Sequence, residues 1–157
     1  VRRHFKRSSE AGTATVEFAL ILPIFIGLLF AIIEFGFIFR DQLLVQQIAR
    51  EGARAAAVGR MVAEVRATIN GAAQGLTVAN LTSTLEYRVY NAGWSTWYAL
   101  GDSGGSSSQN DAPQGAQVRV RCTYQHQLLT GPLFARMIGR PGASQTTLFA
   151  QMVMRRE

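Results

Sequence analysis

The hydrophobic pattern divides the chain into three regimes. From Gly12 to Phe39 (GTATVEFALILPIFIGLLFAIIEFGFIF) apolar residues are nearly continuous, broken by Glu17, Pro23 and Glu34. A helix of about 22 such residues, rising about 1.5 Å each, spans the hydrocarbon core of a bilayer. From Arg40 to Val58 the spacing of Leu44, Ile48 and Ala55 keeps one helical face apolar, so a single helix over about Thr15 to Val58 is predicted, with Gly59 as its C-cap. Met61 to Ile69 reads as a short amphipathic helix closed by Asn70 and Gly71.

Beyond Leu76 the period becomes two. Leu85, Tyr87 and Val89 alternate with Glu86, Arg88 and Tyr90, and Asn91-Ala92-Gly93 supplies a turn. Val118, Val120, Cys122 and Tyr124 alternate with Arg119, Arg121, Thr123 and Gln125 in a second strand over Gln117 to Gln127, and Thr146 to Arg155 makes a third, with Leu148, Ala150, Met152 and Met154 on one face. Pro132 to Ile138 reads as a helical turn or short helix, and Gly101 to Gly115 as a loop too polar to pack. The fold class is therefore α+β: a long N-terminal transmembrane helix extending into a small antiparallel β-sheet domain. The implied organisation is a basic leader over 1–12, a membrane helix over 13–39 and an extracytoplasmic domain over 40–157.

Charge orients this arrangement. Arg2, Arg3, Lys6 and Arg7 against Glu10 put a net +3 of the chain's +6 immediately before the span, which keeps the N-terminus in the cytoplasm. A twin-arginine export leader is the competing reading of Arg2-Arg3. It is opposed by Glu17 at the start of the apolar region, by that region's length and by the lack of a prompt small-x-small cleavage site. About sixteen Leu, Ile and Phe residues contribute roughly −5 to −10 kcal/mol to insertion, against about +3 for a central charge, so the span tolerates both acids. An intramembrane acid is a functional candidate by default, Glu17 more than Glu34, which lies within about one turn of the outer interface.

Candidate chemistry is sparse. His4 and His126 stand apart, the acids beyond the membrane are dispersed, and no phosphate loop is present, so an enzyme is not expected and neither is a cofactor or metal. Asp102, Asn110 and Asp111 lack calcium-loop spacing. Arg88, Arg119 and Arg121 read as a solvated strand face rather than a nucleic-acid surface. The single Cys122 is a buried strand residue or, alternatively, a site of an intermolecular bridge. Trp94, Trp97 and Tyr98 make either a lid on a small core or an interfacial or sugar-binding patch. Arg50, Glu51 and Arg54 are spaced to pair along their own helix.

Gly12, followed by four residues, then Glu17 and the aromatic Phe18, all after a basic tail, suits a protease at the cytoplasmic membrane face, since glycine lets the backbone extend. This layout resembles the class III signal peptide of type IV pilin-like proteins in its Flp form. Together with Glu34-Phe35-Gly36, the run Ala49 to Ala57 and the closing Met152-Val153-Met154-Arg155, it resembles the TadE-like minor pseudopilins of tight-adherence pilus systems. The resemblance implies a pilin-like bacterial inner-membrane protein, single-pass, with its C-terminal domain outside and a place in, or at the base or tip of, a pilus. It implies cleavage by a prepilin peptidase after Gly12, leaving Thr13 as the new amino terminus. It further implies that Glu17 meets the free amine of a neighbouring pilin-like subunit. The partners so implied are the peptidase, other pilin-like subunits, the assembly machinery and the lipid bilayer, with no nucleic acid. An uncleaved single-pass anchor presenting a binding domain is the alternative.

Overall fold

In a computed structural model the chain is described over residues 8–102, 109–131 and 144–157. The cationic tail residues Arg2 to Arg7 and the expected helical turn at Pro132 to Ile138 lie outside them. Two compact units are present, Val1–Phe37 and Ile38–Glu157, and the first helix, α1 (Ser8–Ala57), contributes to both. The helix begins seven residues earlier than Thr15, the expected start. Ser8 to Gly12 holds no proline, Glu10 suits the positive end of a helix, and extending a helix already nucleated costs little.

The second unit is built on the last turns of α1. Val45, Ile48, Ala49, Gly52, Ala53 and Ala56 recur at three- and four-residue spacing and are buried, while Arg50, Glu51 and Arg54 face outward. Small residues on this stripe bring neighbouring elements close. A Cβ on Gly52 would stand 2.7 Å from Ile69 Cγ1, so the second helix, α2 (Val62–Ala72), lies too near for any side chain there. α1 ends as a Schellman turn: Gly59 has φ +83°, its N–H donates to Ala56 O (3.1 Å), and Arg60 N–H donates to Ala55 O (3.2 Å).

Four strands, β1 (Leu81–Arg88), β2 (Tyr98–Ala99), β3 (Gln117–Gln127) and β4 (Gln145–Arg155), form one antiparallel sheet in the order β2-β1-β3-β4. The three longer strands follow the alternation in the sequence. Leu85 pairs with Val120, and Val120 with Met152, so the predicted apolar positions share the core face with Val118, Cys122, Tyr124 and Leu148. Strand β2 was not expected. Two residues carry no readable period, and pairing with Glu86 and Tyr87 alone defines it. The turn at Asn91 to Gly93 forms, with Ala92 in the left-handed region at φ 52°. Cys122 is the buried strand residue of the first reading, and loss of hydration pushes its thiol up to about 11, which keeps it protonated and unreactive at neutral pH.

The residues that invited a calcium loop serve the backbone instead. Asp102 Oδ1 accepts from Val62 N–H (2.6 Å) and so caps α2 from a distant loop, and Asp111 Oδ1 accepts from Gly101 N–H (2.9 Å). Asn110, 1% exposed, donates from Nδ2 to both Ala56 O and Arg60 O (2.9 Å each) at the end of α1. Buried Arg156 donates from Nη1 to Asn110 O and Oδ1 (3.0 Å each), placing a cation near the negative end of the helix. Asn110→Ala would take the side-chain donor from the Arg60 carbonyl, leave Ala56 O with only the Gly59 N–H, and reduce the contacts of the Arg156 Nη1 at this site to the Asn110 backbone carbonyl. The expected loss is about 3 kcal/mol of unfolding free energy, read by denaturant titration of the detergent-solubilised chain.

Candidate functional site

The residues singled out by the sequence lie along the first unit. From Gly12 to Phe37 nearly every side chain is exposed, including Phe18 at 63% and Leu20 at 71%. This helix is long and apolar enough to cross a membrane by length and composition. An exposed surface of this kind in water would be strongly unfavourable, whereas lipid or other apolar helices satisfy it.

Gly12 and Thr13 are inside α1 rather than just ahead of it. A Cβ on Gly12 would meet nothing within 4 Å, and its φ is not in the left-handed region. Neither packing nor backbone geometry therefore calls for glycine at this position, while glycine weakens a helix by about 1 kcal/mol relative to alanine. Gly52 is the contrasting case, where Ile69 excludes a side chain.

The two acids differ in environment. Glu17 is exposed among apolar neighbours, five residues after Gly12, whereas Glu34 is 8% exposed, the one buried position between Gly12 and Phe37 among the described residues. They are separated by about 25 Å along the axis and, at about 100° per residue, by about 100° around it. One neighbouring helix running alongside α1 could not meet both through the same seam. Phe18 is the outward aromatic beside Glu17, 63% exposed, and among the described residues it makes no core contact that would account for it.

The second unit holds a polar pair that the sequence did not point to. Asp41 begins the buried stripe of α1, one turn before Val45, and its Oδ2 accepts from His126 Nδ1 at 2.7 Å, both side chains buried. Eighty-five residues separate them, so no spacing rule could join them. The only sequence signal was that His126 continues the core-facing alternation of β3 by one step past Tyr124. The pair ties the helix to the far end of the strand. Asp41→Ala should lower unfolding free energy by about 2–3 kcal/mol, since it leaves a buried imidazole N–H without its acceptor. Near-UV circular dichroism of the solubilised chain on heating would measure it, and an unchanged midpoint would mean the pair contributes nothing.

Three further expectations are corrected. The Trp segment does not cap the core: the Arg88 guanidinium lies 4.6 Å from the ring centres of both Trp94 and Trp97, and that of Arg119 lies 3.8 Å from Trp97, on the sheet face away from Val118 and Val120. Guanidinium groups stack on these rings, while Trp94 remains 45% and Tyr98 50% exposed. Arg119 also binds Glu86 (2.6 Å), so this strand face is a cross-linked layer rather than a freely solvated one. On α1, Glu51 Oε1 accepts from Gln47 Nε2 (3.2 Å) and pairs with neither Arg50 nor Arg54 among the described residues.

Among the described residues no group of three or more His, Cys, Asp or Glu side chains is placed to hold a metal ion. Comparison with known proteins gives one match: residues 12–54 fit the family model described as TadE-like protein. No curated protein and no solved structure matches the chain. The matched segment begins at Gly12 and includes Glu17, Phe18, Glu34 and the small-residue stripe of α1, and over it the chain is similar to that family.

Proposed function

We propose that this TadE-like chain is a minor pseudopilin that acts in assembly of a tight-adherence, Flp-type pilus, in a structural rather than a catalytic role. One observation carries the reading. Gly12 and Glu17 stand at the amino-terminal end of an exposed apolar helix whose residues 12–54 match the TadE-like model, and no packing demand accounts for the glycine.

In this reading the chain enters the bacterial inner membrane with its N-terminus in the cytoplasm and residues beyond about Arg40 outside. A prepilin peptidase cuts the Gly12–Thr13 bond. An active site that binds extended backbone must first unwind the start of α1, and Gly12 lowers the free energy of doing so. The new amine at Thr13 is a cation at the membrane face. Glu17 of a neighbouring pilin-like subunit is an acid in a poorly hydrated setting, and pairing the two relieves the desolvation of both.

The alternative, an uncleaved single-pass anchor, draws support from the helical state of the Gly12–Thr13 bond, which is not held ready for a protease. The N-terminal residue of the protein from native membranes, read by sequencing or intact mass, decides between them. Thr13 supports the pseudopilin. An intact basic tail in cells with active peptidase supports the anchor.

A further inference from the structure

Strand β4 is an edge of the sheet, eleven residues long, and its register with β3 is unbroken from Gln117 opposite Arg155 to Gln127 opposite Gln145. Sheet edges in native proteins are commonly blunted by brevity, a bulge, proline or charge. This one has no bulge and no proline, and from Gln145 to Met154 it carries no charge. Its outward hydrogen-bonding groups are identifiable. Gln42 Nε2 donates to Phe149 O at 3.0 Å, standing where a neighbouring strand's N–H would stand, so Phe149 presents its backbone outward and, by alternation, so do Thr147, Gln151 and Val153.

The surroundings of this edge are cationic and unneutralised. Arg50 on α1 lines a groove of about 290 Å³ with Gln46 and residues Phe149 to Met152, and it has no acidic partner among the described residues. Exposed Arg155 at the end of the strand is likewise unpaired among them. On the outer face, beside Gln151, Arg121 has a buried Nε with no acceptor and only a 3.5 Å approach of Nη2 to Glu86, a carboxylate that Arg119 already holds at 2.6 Å.

We infer that β4 is a docking edge for an extended, acidic segment of another polypeptide, which adds a fifth strand and places carboxylates against Arg50, Arg121 and Arg155. Main-chain hydrogen bonds supply the affinity of such strand addition and alternate side chains its specificity. A second copy of this chain is the poorer occupant. β4 holds no Asp or Glu, so two copies joined antiparallel at this edge would bring the two Arg50 side chains, beside its middle, together and place no carboxylate of either strand against them.

The test needs neither the peptidase nor Gly12 and Glu17, so its result is separate from that of the pseudopilin reading. Full-length protein in detergent is titrated with a fluorescent eleven-residue peptide of alternating threonine and glutamate, with the lysine counterpart as control. Binding of the glutamate peptide at least tenfold tighter than the lysine peptide is expected, with slowed amide exchange at Thr147, Phe149, Gln151 and Val153. Gln151→Pro, which deletes an outward donor, should abolish binding. Arg50→Glu, at an exposed helix position, should weaken it at least tenfold and leave α1 intact. Equal binding of both peptides, no binding, or full binding by Gln151→Pro overturns the inference. So does exchange at these amides that slows with protein concentration alone, which would identify a second copy as the occupant.

Discussion

Gly12→Leu leaves the protein at full length in the membrane, with its basic tail attached. Two effects act in the same direction. Leucine presents a branched side chain where the peptidase must approach the backbone closely, and it raises the helix propensity of the segment by nearly 1 kcal/mol, so unwinding becomes harder. Gly12→Ala separates them: its side chain is small, but alanine stabilises the helix by about 1 kcal/mol, which corresponds to about a fivefold slower cut if unwinding limits the step. A Cβ at this position meets no atom within 4 Å, so alanine fits without steric conflict and leucine's first carbon does too. The ratio of full-length to trimmed protein, followed by mass after a pulse of synthesis, reads both. Normal trimming of Gly12→Leu would remove the peptidase from the account.

Glu17→Ala should be inserted and trimmed normally yet fail to join the pilus machinery. The span loses an unfavourable charge, so insertion can only improve. In the proposed assembly the change removes one member of an ion pair in a poorly hydrated environment and leaves the neighbour's amine uncompensated, at an expected cost of about 3 kcal/mol or about a hundredfold in association. Glu17→Asp, which keeps the charge on a shorter stem, should recover part of it. The measurement is cross-linking from Thr13 of one subunit to residues near position 17 of its neighbour, beside the amount of protein that fractionates with filaments. Undiminished assembly of Glu17→Ala would mean that the acid is only tolerated. Glu34→Ala offers a contrast, because that side chain is 8% exposed while Glu17 is exposed.

Much of this protein is written in local patterns. The apolar run from Phe18 to Phe39, the change to alternation after Leu76 and the Gly59 C-cap each report on a property of a few neighbouring residues, and the corresponding elements form. Strand β3 matches its predicted range because eleven residues of alternation leave little room for another register. The start of α1 was less legible, since Ser8 to Gly12 has no strong preference and takes its helical state from the apolar helix that follows. The aromatic segment misled for a related reason. Hydrophobicity suggested burial, but Arg88 and Arg119 lie on the outer face, and their attraction for the indoles drew Trp94 and Trp97 to that side.

The sequence by itself determined the membrane-competent helix, the α+β class and the Gly12 to Glu17 signature, because all of these depend on residues close together in the chain. Only the tertiary structure decided that Asp41 meets His126, that Asn110 and Arg156 close the end of α1, that Asp102 caps α2, and that β4 is an edge strand reached by Gln42 and bordered by arginines without acidic partners among the described residues. Each of these joins groups dozens of residues apart. Their proximity is a consequence of how the sheet folds onto α1, and local spacing carries no record of it.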